Sequence, residues 1–377
     1  MIKEIAPLPQ LLEIEPTLGC NLRCIMCHVP TMKEKSKFLN LDLLEKATEG
    51  LTNINVVIGS EFEPTIHPEF EKLLKIAIKR NWKLDFLTNA TLLHKFDEAI
   101  LREVKFNVFN VSFDGASAKT FESVRKGARY ERVFENAVKY AEIARSNGAF
   151  TAISSTIMRS NIDELPESIR IWDSEGFDLV RLCVAQARST EESVLNEILY
   201  PLINKTKKIL DASVKLQFEE KMRIGIRQGY FSSKDFNCPL GIEVLDSTAF
   251  NPNSSYRHVP SVRQQSQRGT WPGMKWPCRS PFVYSRIRWD GAVDLCNNRG
   301  FEIGNIYEES FLNIWNGEEA ISRRNKIVNN TSLCENCDYY THCIGHHNVD
   351  LYNKDSYFSK AVLKSPKSKE WLSKLEY

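Results

Sequence analysis

Six apolar, β-branched runs separated by amphipathic stretches fill the first half of the chain, and they leave few folds open. The runs are LLEIEPT (11–17), INVVIGS (54–60), WKLDFLT (82–88), FNVFNVSF (106–113), FTAISSTIM (150–158) and FDLVRLCVA (177–185). Such runs fit strands buried on both faces, as in a parallel sheet. Between them, LDLLEKATEGL (41–51), PEFEKLLKIAIKR (68–80), YERVFENAVKYAEIARS (130–146) and DELPESIRIWDSE (163–175) carry apolar residues at helical spacing. Asn161 or Asp163 is the expected N-cap of the last helix, with Pro166 early in it. Six strand–helix units predict an α/β fold, a partial (β/α)6 TIM-like barrel; periodicity alone also allows a closed eight-unit barrel. Sites in such sheets form at the C-terminal ends of the strands.

The expected organisation is a barrel core over 1–190, a helical linker and substrate lid over 191–275, a small cysteine-rich module over 276–349 and a polar tail over 350–377. Residues 190–235 read as one or two polar helices, and 236–275 are rich in Pro, Ser, Gln and Arg without a clear period. In the module, FVYSRIRW and AVDL flank an Asp-Gly pair, the signal of a β-hairpin.

The chain has 377 residues, with 50 Lys plus Arg against 48 Asp plus Glu. That balance gives no bulk attraction for nucleic acid. No apolar stretch reaches the roughly 18 residues of a membrane span, and MIKEIAPLPQ lacks the apolar region of a secretion signal. The expectation is therefore a cytoplasmic protein with no membrane or nucleic-acid partner. Thiols stay reduced in the cytoplasm, so the ten cysteines point to metal and not to disulfides.

Three of them stand in CNLRCIMC (20–27), directly after the first strand. A structural zinc site takes four ligands, and an iron–sulfur cube usually takes four thiolates. Three thiolates leave a coordination position open, where a substrate or cofactor binds. Three unrelated buried cysteines, or a zinc site completed by His28, are the alternatives. The motif Cys20-x3-Cys24-x2-Cys27 resembles the signature of the radical S-adenosylmethionine (SAM) superfamily, and the resemblance runs over residues 11 to about 185. It implies a [4Fe–4S] cluster on Cys20, Cys24 and Cys27, with the amino and carboxylate groups of SAM on the fourth iron. An electron from that cluster would cleave SAM to methionine and a 5′-deoxyadenosyl radical.

Further positions carry the resemblance. Glu63-Pro64 resembles the Gly-Gly-Glu-Pro stretch that holds the SAM amino group, with Glu61 and Phe62 in place of the glycines. Thr88-Asn89 resembles a Thr-Asn-Gly turn, and Asn89 reads equally as a simple turn residue. Ser112-Phe113-Asp114-Gly115 resembles the end of the fourth strand, making Ser112 and Arg125 candidates for the SAM carboxylate; a planar guanidinium suits that partner. A solvated loop acid at Glu63 and a surface helix arginine at Arg125 are the plain alternatives. Met26 stands where the family has an aromatic residue and can pack on adenine.

A second group comprises Cys278, Cys296, Cys334 and Cys337, with Cys343 nearby. Four thiols of this kind close around one cube or one zinc ion. Together with Asp290-Gly291, Gly304-Asn305-Ile306 and Ile314-Trp315, they resemble the SPASM or twitch module that follows the barrel in one branch of the superfamily. The resemblance implies one auxiliary [4Fe–4S] cluster, with Cys343 a spare or substitute ligand. The expected activity is an oxidoreductase of dehydrogenase or epimerase type. It would abstract hydrogen from a small polar, sugar- or aminocyclitol-like substrate, the auxiliary cluster accepting an electron. A donor such as flavodoxin or ferredoxin would supply reductant. Cys183 in the sixth strand is a candidate hydrogen donor, or else a core cysteine. The lean toward a small substrate rests on a first strand that starts near residue 11, leaving no room for a leader-binding domain. The alternatives are a peptide-modifying maturase of the same superfamily and a non-catalytic zinc scaffold.

Overall fold

The computed structural model describes residues 11–32, 34–185, 284–296 and 301–329. It also describes Ala6, Leu8, Pro9, Glu197, Lys205, Lys208, Ile209, Ala212, Ser213, the backbone of 223–226 and Pro281. The strands are β1 (Leu11–Ile14), β2 (Asn55–Ile58), β3 (Lys83–Thr88), β4 (Lys105–Ser112), β5 (Phe150–Ile157), β6 (Leu179–Val184), β7 (Arg223–Ile226), β8 (Tyr284–Ile287), β9 (Ala292–Asp294) and β10 (Glu302–Asn305). The helices that cover them are α1 (Leu41–Ala47), α2 (Phe70–Lys79), α3 (Glu98–Glu103), α4 (Ala118–Val124), α5 (Tyr130–Ser146) and α6 (Leu165–Ser174). Helices α7 (Phe311–Asn316) and α8 (Glu318–Asn329) follow β10.

These ten strands share one sheet, in the order β7-β6-β5-β4-β3-β2-β1-β8-β9-β10, and four shorter strands form two separate pairs. From β7 to β8 every pairing is parallel. This is the expected partial barrel, with two additions. β7 lies within 190–235, read from sequence as helix; Lys205, Lys208, Ile209, Ala212 and Ser213 are helical, but Arg223–Ile226 pairs with β6. The C-terminal hairpin is also no separate layer. Leu11–Ile14 runs parallel to Tyr284–Ile287, and β8 to β10 continue the barrel sheet as an antiparallel meander.

Side-chain alternation gives the sheet two unlike faces. Leu12, Ile14, Phe86, Val111, Ile153 and Leu182 point to the helices and belong to one core cluster with Leu73, Val133, Ala141 and Trp172. The next residue along each strand points the other way. Glu13, Asp85, Asn110, Ser154, Arg181 and Cys183 therefore line the concave face. Leu87, Val108, Ser112, Ser154, Thr156, Arg181 and Cys183 on that face are each partly exposed. A closed barrel packs its interior with branched apolar residues; this open one keeps a polar lumen that reaches solvent.

Helix α5 begins and ends where its periodicity predicts, and it buries Val133, Ala137, Tyr140, Ala141 and Ala144. Asn161 does not cap α6 as expected. Its Oδ1 accepts from Met158 N (2.8 Å) and its Nδ2 donates to Thr156 O (2.9 Å), which ties the turn after β5. Glu164 occupies the N-cap position and spends its carboxylate on the start of α4, accepting from Ala116 N, Ser117 N and Ser117 Oγ.

Candidate active site

The three N-terminal cysteines lie on the loop after β1, at the C-terminal edge of the parallel strands. Two short ladders fix that loop. Thr17–Leu18 pairs antiparallel with Lys37–Phe38 and closes its base. Arg23–Cys24 pairs with Arg125–Lys126 after α4, so Cys24 sits opposite Arg125. Gly19 has φ +135°, and a Cβ there would come within 2.6 Å of Ser36 Oγ; only glycine makes the entry into the cysteine loop.

Cys20, Cys24 and Cys27 are free and partly buried. Their sulfurs already attract donors: Leu22 N reaches Cys20 Sγ (3.4 Å), Val29 N reaches Cys27 Sγ (3.4 Å) and Asn89 Nδ2 reaches Cys20 Sγ (3.6 Å). Burial pushes the Cys20 thiol up to about 11 and Cys24 to about 12, the nearby Arg125 charge opposing the rise at Cys24. Both stay protonated near neutral pH until a cation displaces the protons. Among the described residues no three His, Cys, Asp or Glu side chains converge as one metal ion demands. A cube instead offers each thiolate a different iron, so its ligands surround a larger body. Three thiols on one loop suit such a body, and His28, the fourth ligand of the zinc alternative, has its Nε2 3.6 Å from Glu61 Oε1.

Glu63 is not a solvated acid. It is 4% exposed, and its Oε1 accepts from Thr65 N (3.2 Å), Thr65 Oγ1 (2.5 Å) and Thr88 Oγ1 (2.7 Å). Oε2 accepts from Asn89 N at 2.6 Å. Asn89 in turn donates from Nδ2 to Asn21 Oδ1 (2.9 Å), while its Oδ1 caps Thr91 N (2.9 Å). Asn89 is thus both a turn residue and a bridge to the cysteine loop. Ala90 follows it at φ +58°.

Arg125 is not a surface residue either. It is 7% exposed, and its Nη2 pairs with Asp114 Oδ2 at 2.7 Å. Asp114 is fully buried and also accepts from Thr156 N. Ser112 ends β4 and is partly exposed toward the lumen. Met26 packs with Ile25 against Val124, Met158 and Ala185, an apolar patch beside the loop. Cys183 sits on the lumen face of β6, paired in register with Thr156, and is partly exposed.

Glu61 and Phe62, which replace the expected glycines, are accommodated by Glu15 just past β1. Glu15 Oε1 accepts from Glu61 N (2.7 Å) and Oε2 from Phe62 N (3.5 Å). The Phe62 ring fills an apolar pocket with Leu18 and Val29, against Cys20, Cys27 and Trp289. Close backbone approach persists one step earlier: Gly59 has φ +84°, and a Cβ there would meet Leu87 O at 2.3 Å.

Arg286 on β8 escaped the sequence reading, although an arginine in an apolar hairpin is a signal. It is 4% exposed and sits 3.7 Å from Glu61, 3.3 Å from Asp294 and 3.9 Å from Glu13. One buried guanidinium thus joins β1, the loop after β2 and the hairpin that ends at Cys296. Tyr284 Oη donates to Glu13 Oε2 at 2.8 Å. Burial raises Glu13 and, further, Glu15, each held up as well by its neighbouring carboxylates. Cys296 is partly buried against the main core. Cys278, Cys334, Cys337 and Cys343, most of the 191–275 linker and the 350–377 tail lie outside the described residues.

Residues 14–171 match the family model of the Radical SAM superfamily, and residues 278–338 match that of SPASM, an iron–sulfur cluster-binding domain. The second match spans Cys278, Cys296, Cys334 and Cys337 and ends before Cys343. A tungsten-containing aldehyde ferredoxin oxidoreductase cofactor-modifying protein from Pyrococcus furiosus is 26% identical, over 81% of this chain and 81% of its own length. The mycofactocin maturase MftC of Mycolicibacterium smegmatis is 30% identical over 42% of this chain and 40% of its own. The crystal structure of Streptococcus suis SuiB bound to precursor peptide SuiA shares the fold, with a TM-score of 0.58 and 16% identity. That likeness covers 89% of this chain and 70% of the other.

Proposed function

Because this chain belongs to the radical SAM superfamily and carries a C-terminal SPASM domain, we propose that it is a maturase that abstracts hydrogen from a peptide. The two domains imply a SAM-binding [4Fe–4S] cluster and an auxiliary one. The peptide reading is supported by a relative named as a maturase, MftC, together with the shared fold of SuiB, which was solved bound to a precursor peptide. The sequence-based lean toward a sugar- or aminocyclitol-like substrate gives way to this alternative. The zinc scaffold reading gives way to a radical SAM enzyme.

In this reading Cys20, Cys24 and Cys27 hold the first cluster, and the donors from Leu22, Val29 and Asn89 steady the thiolates. The cluster, when bound, supplies the electron that splits SAM and so generates the hydrogen-abstracting radical. Arg125, backed by Asp114, and Ser112 at the end of β4 receive the SAM carboxylate. Met26 and its apolar patch cover the adenine. Glu63 acts mainly by positioning Asn89, with the remaining lone pair of Oε2 available to the SAM ammonium. Cys183 is a hydrogen donor into the lumen. Cys296 belongs to the auxiliary ligand set with Cys278, Cys334 and Cys337; the cluster they would hold would supply an electron acceptor for a substrate radical that Cys183 does not quench with hydrogen. A flavodoxin or ferredoxin supplies the first electron.

The test is anaerobic incubation of reconstituted protein with SAM, a low-potential reductant and either a peptide library or a panel of amino sugars and aminocyclitols. Peptide-dependent 5′-deoxyadenosine with a mass change in one peptide is the expected result. Stimulation by a sugar alone would return the assignment to a small-molecule oxidoreductase. No helix among the described residues is long and apolar enough to cross a membrane.

A further inference from the structure

Halfway down the lumen wall, two buried side chains each hold a polar atom with no hydrogen-bond partner among the described residues, although the charge of Arg181 acts on one of them, Asp85. Asp85 on β3 is 3% exposed; its Oδ1 accepts from Asn107 Nδ2 at 2.6 Å, and its Oδ2 has no hydrogen bond. Asn110 on β4 is 1% exposed; its Oδ1 accepts from Ser154 Oγ at 3.0 Å, and its Nδ2 has no hydrogen bond. Asp85 is in register with Val108, and Leu87 with Asn110. The two are therefore diagonal neighbours on one face of one strand pair, about 7 Å apart at Cβ. Leu87 and Val108, which complete that square on the lumen face, are both partly exposed. Buried polar atoms left unpaired cost free energy, and in native proteins such atoms are met by a water, an ion or a ligand.

The guest's chemistry follows from the pair. One position accepts a hydrogen bond and the other donates one. The complement is a group that shows a donor beside an acceptor along one edge, at a separation that bridges the two strands. A primary carboxamide does this; a carboxylate lacks the donor and an ammonium lacks the acceptor. Depth narrows the class. Asp85 lies three residues below Thr88 at the strand end, about 10 Å into the barrel, a reach suited to a side chain more than to a main chain. We infer that Asp85 and Asn110 form a specificity subsite that reads the carboxamide of an Asn or Gln residue in the substrate.

This inference rests on the peptide reading above, and its test keeps the two separate. Equilibrium dialysis of the reconstituted full chain compares N-acetyl-glutamine N-methylamide with the corresponding γ-methyl ester, whose side chain keeps the carbonyl but has no N–H. Above about pH 8, where the Asp85 carboxyl is ionised, the wild type is expected to prefer the carboxamide by about tenfold, the value of one hydrogen bond to a charged group. Asp85→Asn turns a donor toward the ligand and should erase that preference while sparing the ester. Asn110→Asp should weaken both ligands by a similar factor, since both present a carbonyl. Equal losses of amide and ester in Asp85→Asn, or an absent preference in the wild type, would overturn the subsite. So would competition by SAM, since the edge of adenine offers the same donor–acceptor pair. If any of these occurs while peptide-dependent 5′-deoxyadenosine formation stands, the maturase reading survives and the subsite does not.

Discussion

Replacing Asp85 by Asn removes a titrating group from the lumen wall, and the burial of that group sets the sign of the effect. Burial lifts the Asp85 carboxyl from 3.8 to about 7, against the hydrogen bond from Asn107 and the charge of Arg181 on β6. Glu13, two strands away on β1, is raised as well. A carboxyl raised in the folded state stabilises the fold while protonated, and the contribution is lost as pH climbs through the folded value. With the folded value at about 7, that contribution is about 1.4 kcal/mol at pH 6 and close to zero by pH 8. Asn does not titrate. The stability difference, wild type minus Asp85→Asn, should therefore fall by about 1.4 kcal/mol between pH 6 and pH 8. Urea unfolding of the reconstituted proteins under anaerobic conditions at pH 6, 7 and 8 measures it, and taking the difference cancels the other raised acids. Parallel profiles would refute the reasoning and mean that water or Arg181 solvates the carboxylate fully.

Other expectations follow from the site. Cys24→Ala should abolish 5′-deoxyadenosine formation by chromatographic assay, and retained formation would sink the ligand assignment. Cys296→Ala should leave SAM cleavage in place but stop product formation, read by mass spectrometry alongside 5′-deoxyadenosine; normal turnover would remove the auxiliary cluster from the reaction. Glu63→Ala strands the buried donors of Thr65, Thr88 and Asn89, so a loss of about 2–5 kcal/mol in urea unfolding is expected. Arg286→Met leaves Glu13 buried without its cation, while Asp294 keeps only Arg288. It should cost about 3–5 kcal/mol, and it should also loosen hydrogen-exchange protection across β1 and β8.

Sequence by itself was enough for whatever depends on near neighbours in the chain. Helix α5 matches its periodicity from Tyr130 to Ser146, because the stripe Val133, Ala137, Tyr140, Ala144 is a local property of the 3.6-residue repeat. The six parallel strands are legible for the same reason, and so is the placement of the cysteine loop at their C-terminal edge. The Asp-Gly turn names its own hairpin, with Gly291 at φ +81°. Tertiary structure decided what joins distant segments. No local pattern says that Tyr284–Ile287 lies beside Leu11–Ile14, since a parallel pairing across some 270 residues leaves no period in either strand. The same holds for side-chain fate. Arg125 looks like any polar helix end until Asp114 closes on it, and Glu63 looks like a loop acid until four donors from three residues fold over it. A charged residue on a strand reads as exposed in sequence. Whether it faces solvent, as a strand on the outside would, or the polar interior of an open barrel, as Glu13, Asp85 and Arg286 do, depends on closure of the whole sheet.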